Sequence, residues 1–129
     1  MVVMAPFTLQ APAKITSGMI VVGTASGNMA IGIVASDKVT LLATSGSVVV
    51  PPSGLARTIN LTAPVVLAPG TYYTAVQFDN TTARVAGQQS GITISWPVGP
   101  WYATTVSFPM TSPLPAGGSN SWAYGVVWI

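Results

Sequence analysis

Histidine, cysteine and glutamate are all absent from this chain of 129 residues. Without cysteine there is no disulfide framework, thiol nucleophile or thiolate metal site. General acid–base catalysis would depend on two aspartates, Asp37 and Asp79, which stand far apart, each in a predicted turn. A serine nucleophile would need Lys14 or Lys38 as its base, and neither lysine belongs to a recognised nucleophile motif. We therefore expect no catalytic residues and no enzyme.

Charged residues are also few. Only 5% of the residues are charged, against about 25% in a typical soluble domain. Four scattered cations do not make a patch that could follow a phosphate backbone, so we expect no nucleic-acid partner. No charged residue follows Arg84. Soluble monomers normally depend on surface charge to repel one another. A surface with so little charge therefore predicts that this chain associates with other protein subunits.

Long apolar runs are also missing, although half of the residues are hydrophobic. No stretch reaches the 18 or more apolar residues of a membrane helix, so we expect no membrane insertion. Residues 1–9 contain no basic residue, which favours an N-terminal arm or first strand over a signal peptide. Residues 79–81 (Asp-Asn-Thr) offer oxygen ligands for calcium, but a hairpin turn explains them better. We therefore expect no metal and no cofactor.

Valine, threonine, glycine and proline dominate what is present. β-Branched side chains favour strands, and turn residues recur about every ten positions, which is typical of a sandwich or barrel. We predict an all-β fold, an antiparallel jelly-roll-like β-sandwich in a single domain, with about eight strands and no helix longer than two turns. Residues 1–13 form the arm or first strand and residues 14–129 form the sandwich domain.

Alternating residues and turn signals predict the individual strands. Residues 28–35 place Met29, Ile31 and Ile33 on one face, and a hairpin partner follows at 39–44. After the turn at 79–80, residues 82–86 are predicted to return as a hairpin. The other predicted strands are 14–23, 46–50, 55–62, 71–78, 91–96, 103–108 and 122–128, with 109–121 as an extended loop. The predicted core is Ile31, Ile33, Leu41, Ile59, Leu61, Val76 and Phe78.

Aromatic residues are concentrated in the last third of the chain, where charge is missing. Interface cores are depleted in charge and enriched in tryptophan and tyrosine, so this segment has the composition of an interface. The rings are equally suited to the domain's own core, and stacking on a sugar is the third alternative. The predicted oligomer or partner interface residues are Trp101, Tyr102, Trp122, Tyr124 and Trp128.

A short segment carries a family resemblance. Residues 67–75, Leu-Ala-Pro-Gly-Thr-Tyr-Tyr-Thr-Ala, are followed by Asp-Asn-Thr-Thr-Ala at 79–83. This pattern resembles a β-sandwich module of tailed-bacteriophage structural proteins, often found at the outer end of tail fibres. The likeness extends over about residues 15–128, but only the Pro-Gly-Thr-Tyr-Tyr part at 69–73 is specific.

The resemblance implies a bacteriophage virion protein, placed at the virion surface. In fibres the module follows a long shaft, whereas here we expect it to stand alone. That setting favours a capsid decoration (cement) protein, a homotrimer that contacts the major capsid protein or other virion proteins. The alternative is the receptor- or glycan-binding head of a tail fibre or baseplate, with a host glycan or receptor as its partner. A non-viral adhesin or carbohydrate-binding module is a third interpretation.

Overall fold

The computed structural model describes residues 2–85, 101–115, 118–120 and 127–128. Every regular element in these residues is a β-strand, and all strand pairs are antiparallel. The strands form two sheets that pack as a single-domain β-sandwich, which confirms the predicted fold class. The part of the chain described contains no helix, and so none that could span a membrane.

Eleven strands lie within the described residues, against the eight or so that were predicted, because several are only two to four residues long. In chain order they are β1 Val2–Leu9, β2 Ala13–Thr24, β3 Asn28–Val34, β4 Leu41–Thr44, β5 Val48–Val49, β6 Ala56–Leu67, β7 Gly70–Phe78, β8 Arg84–Val85, β9 Trp101–Thr104, β10 Gly118–Asn120 and β11 Val127–Trp128.

The larger sheet, sheet A, has the order β10-β9-β1-β7-β3-β4, and β5 also pairs with β3. Sheet B has the order β11-β2-β6, and β8 also pairs with β2. Strand β1 lies inside sheet A, where it pairs along its whole length with β7. Residues 2–9 are thus a strand of the sandwich.

Local sequence explains the strands at the centre of sheet A. Strands β3 and β7 are rich in β-branched residues, and turn residues bound both of them. Gly27, just before β3, has a φ of 63°, and Gly70, at the start of β7, has a φ of 155°. Glycine adopts these angles without the clash that a Cβ would cause. The predicted hairpin of β3 with β4 is confirmed.

The hairpin predicted after residues 79–80 is wrong. Strand β8 pairs with β2, through Val22 with Val85, and so belongs beside the other sheet. Ala83, just before β8, is 3% exposed in the core between the sheets and packs in one cluster with Val22. The chain therefore crosses from sheet A towards sheet B after the turn, and the crossing places an apolar side chain in the core.

Two apolar clusters flank sheet A. The inner core lies between the sheets and is built from the buried residues Ile15, Ile20, Val22, Met29, Ile31, Ile33, Val50, Ile59, Leu61, Leu67, Val76 and Ala83. The outer cluster lies on the other face of sheet A and is built from Val2, Met4, Ala30, Val34, Ala75, Met110 and Leu114. Both faces of β3 and β7 are therefore buried at their centres.

Five of the seven predicted core residues are buried in the inner core. The other two, Leu41 and Phe78, are only half-buried at the margins of the clusters, because each lies at an end of its strand. Leu55, predicted to share a face with Ile59 and Leu61, is 61% exposed because it precedes β6. The strand predicted at 91–96 lies outside the described residues.

Candidate interaction surface

Two of the aromatic residues predicted at an interface lie in β9, between β10 at the edge of sheet A and β1. Trp101 and Tyr102 begin β9, where Tyr102 pairs with Met4 of β1 and with Ser119 of β10. Trp128 lies in β11 and pairs with Gly18 of sheet B. The backbone thus places these three residues on two different sheets.

Trp122 and Tyr124 lie outside the described residues, and the five-residue interface stays a prediction.

A surface that was not predicted lies on the outer face of sheet A. Residues 105–115, here called the cover segment, run across this face without forming a strand. Met110 and Leu114 are each 2% exposed, and Val106 and Phe108 pack against the same cluster. The predicted loop at 109–121 therefore includes a packed stretch, and the strand predicted at 103–108 ends at Thr104.

Gln77 joins sheet A to the cover segment. Its side chain is 1% exposed, and its Nε2 donates to the carbonyl oxygen of Val106 at 2.9 Å and to that of Ser107 at 3.4 Å. Because both partners are carbonyls that only accept hydrogen bonds, the orientation of the amide is determined by its surroundings. A glutamine on the outward face of a central strand was a sequence signal that another segment of the chain packs on this face.

Two further hydrogen bonds hold the end of the cover segment. Leu114 N–H donates to the carbonyl oxygen of Val39 at 2.8 Å, and Leu41 N–H donates to Ser112 Oγ at 3.1 Å. Apolar side chains at 106, 108, 110 and 114 all have even positions in the sequence. This alternation, obscured by Pro109, Pro113 and Pro115, was the signal that could have revealed an extended, half-buried segment.

The turn at Asp79 is a closed hydrogen-bond network. Asp79 Oδ1 accepts from the Asn28 N–H at 3.0 Å and from Asn80 Nδ2 at 2.6 Å, while Oδ2 accepts from Asn28 Nδ2 at 3.2 Å. The Asn28 N–H is the main cause that lowers the pKa of Asp79, and the Asn80 amide adds to it. A Cβ on Gly27 would meet the Asp79 carboxylate. The network therefore acts as a structural link between two turns.

The other aspartate has a similar role at the opposite hairpin. Asp37 Oδ1 accepts from the N–H groups of Val39 and Thr40, and Oδ2 accepts from Thr40 Oγ1 at 2.7 Å. These bonds, led by that from the Thr40 N–H, lower the pKa of Asp37. Lys38 adopts a φ of 62° in this turn, with its Nζ 5.8 Å from the centre of the Tyr73 ring.

Charged residues are few on the strands that the structure describes. Three of them, Lys14, Arg57 and Arg84, lie on strands, and the other three lie in turns. On the outward face of β6, residues such as Thr58, Asn60 and Thr62 are exposed and uncharged. The polar groups of this surface are therefore mainly hydroxyls and amides. Burying them against protein costs less hydration free energy than burying charged groups does.

The part of the chain described shows no group of three or more histidine, cysteine, aspartate or glutamate residues that could hold a metal. Scans of protein-family models, curated proteins and solved structures find no match to the chain. The candidate interaction surface therefore rests on the chain's own residues, above all the exposed and uncharged outward face of β6.

Proposed function

We propose that this chain is a non-enzymatic structural protein of a bacteriophage virion, a capsid decoration (cement) protein that stabilises the head as a homotrimer. The observation that carries the proposal is the low charge of the strand surface, where Lys14, Arg57 and Arg84 are the charged residues on the described strands. Such a surface can be buried against protein with little loss of ion hydration. The resemblance at residues 69–73 supplies the virion setting and the trimer.

The proposed mechanism is passive. The trimer bridges neighbouring copies of the major capsid protein, or other virion proteins, at the outer surface of the head. A protein that binds the closed shell and not its separated subunits stabilises the shell by linkage. At a free concentration 100-fold above its Kd, this contribution is about 2.7 kcal/mol per site.

Particle stability tests the proposal. Heads that lack the protein are heated with and without purified protein, and release of their DNA is followed by dye fluorescence. We expect release at a higher temperature when the protein is bound, with a shift that saturates as sites fill. An unchanged release temperature, together with loss of adsorption to cells when the protein is missing, would instead support a receptor- or glycan-binding head.

A further inference from the structure

Strand β6 forms a long edge of the sandwich. Among the described residues, it lies at one end of sheet B and pairs with β2 alone. The strands at the other sheet ends, β10, β4 and β11, have three, four and two described residues, whereas β6 has twelve. An edge strand presents a row of backbone N–H and C=O groups to any further strand, and proteins normally keep such edges short or block them.

The second half of β6 carries features that block an edge. Between Asn60 and Val65 the register with β2 is interrupted. Pro64 lies in this stretch, and proline has no N–H to offer to a further strand. Thr62 Oγ1 also donates to the carbonyl oxygen of Thr44 at 3.1 Å, which brings β4 against this half. A further strand therefore cannot pair regularly beyond Asn60.

The first half of β6, residues 56–60, has none of these features and is here called the open edge. Its register with β2 is regular throughout. Ala56, Arg57, Thr58 and Asn60 are exposed, while Ile59 is anchored in the inner core. Because the backbone groups of successive residues in a strand point to opposite sides, about half of those in the open edge face away from β2.

We propose that the open edge is a docking site for an extended segment of a partner protein, which adds to sheet B as an antiparallel neighbour of β6. A row of backbone donors and acceptors at strand spacing is complementary to the backbone of another extended chain, and main-chain hydrogen bonds then supply the affinity. The antiparallel direction is that of every strand pair in the described residues. This inference goes beyond the virion proposal and does not depend on it.

The side chains of the open edge define the chemistry of the partner segment. Thr58 and Asn60 lie on the outward face, where small hydroxyl and β-branched side chains make favourable cross-strand neighbours. Arg57 is the one charged residue of the open edge, and the chain as a whole has a net charge of +2. Opposite charges on neighbouring strands attract and like charges repel. Charge complementarity therefore favours a β-branched segment with an acidic residue opposite Arg57.

A peptide titration of the full-length, isotopically labelled protein tests this site. The probe is a short capped peptide in which threonine and valine alternate around a central aspartate. Hydrogen exchange should slow at alternate amides of residues 56–60, because the amides between them already bond to β2. At a free peptide concentration about ten times its Kd, the expected slowing is about tenfold.

Matched controls separate strand addition from other binding. A peptide with proline at alternate positions cannot donate to the ladder and should cause no slowing. The R57D variant should bind the aspartate peptide about fivefold more weakly and prefer a peptide with lysine in its place. The K14D variant makes the same charge change at an exposed residue of β2, outside the open edge, and should bind like the unmodified protein.

Slowing at alternate amides of the open edge, weakened by R57D and not by K14D, supports the proposal. Absence of this alternation, slowing confined to another sheet edge, or equal binding of the proline peptide overturns the docking site. Equal effects of R57D and K14D overturn the acidic partner. If the same amides slow without peptide as the protein concentration rises, a second copy occupies the edge, which overturns the assignment to a partner protein. The particle-stability test judges the virion proposal separately.

Discussion

The two faces of sheet A are both buried, but they differ in how they are closed. The inner face is closed by a second sheet, with buried residues from four strands, β2, β3, β6 and β7, interlocked in one core. Among the described residues, the outer face is covered by one segment without strand hydrogen bonds, which is held by its apolar side chains and by contacts such as that from Gln77. The inner core should therefore open only with global unfolding, whereas the cover segment can open locally.

The largest effect is expected from Ile31→Ala in the inner core. Ile31 is 0% exposed and is packed between the sheets, so truncation leaves a cavity that neighbouring strands cannot fill. We expect a loss of about 3–5 kcal/mol in the free energy of unfolding, measured by urea denaturation. Ile31→Val is the control, at about 1 kcal/mol. A loss for Ile31→Ala no larger than that of the control would contradict the interlocked core.

A smaller loss is expected from Leu114→Ala in the outer cluster. Leu114 is 2% exposed, but the segment that carries it can settle into the space that truncation leaves. We expect a loss of about 2–3 kcal/mol in the free energy of unfolding, at the low end of the range for leucine-to-alanine changes in a core. Hydrogen exchange should show faster exchange at the Leu114 N–H, with the β3 amides unchanged. Equal acceleration in both places would mean that the two faces open together.

Phe78→Ala measures the margin of the inner core. Phe78 is half-buried where β7 ends, so it has less apolar surface to lose than a fully buried phenylalanine. We expect a loss of about 1–2 kcal/mol in urea denaturation. Val66→Ala, at a side chain that is 73% exposed, is the matched control and should change stability by less than about 0.5 kcal/mol. If the Phe78 variant matches this control, the ring is not part of the core.

The smallest effect is expected from acid. The pKa values of Asp37 and Asp79 are lowered in the folded chain by backbone N–H donors. The contribution of these two carboxylates to the free energy of unfolding is therefore fully present above the unfolded pKa of about 3.9. It is lost as pH falls through the lower folded values. Because the chain lacks histidine and glutamate, stability should be level from about pH 5 to 7. We expect the melting temperature of D37N/D79N to fall less than that of the unmodified protein below about pH 4. An equal fall in both proteins would mean that the two aspartates are not its cause.

Turn chemistry made much of sheet A predictable from sequence. The expected segment 28–35 is observed as β3, and 71–78 is observed as β7, because glycine and aspartate mark their ends. The candidate surface was less accessible to prediction. Val106, Phe108 and Met110 alternate as a strand would, yet they pack on a sheet face and not in a ladder. Nothing in the residues themselves states which face they cover.

The sequence by itself determined the all-β class, the strand-forming segments and the scarcity of charge, because these depend on side-chain shape and on turns of a few residues. Only the tertiary structure decided that β1 lies between β7 and β9, that β8 joins β2, and that the cover segment closes sheet A. These choices join residues far apart in the chain. They follow from which apolar faces must be buried together. A local sequence pattern shows that a face is apolar, but it does not show against which other element that face packs.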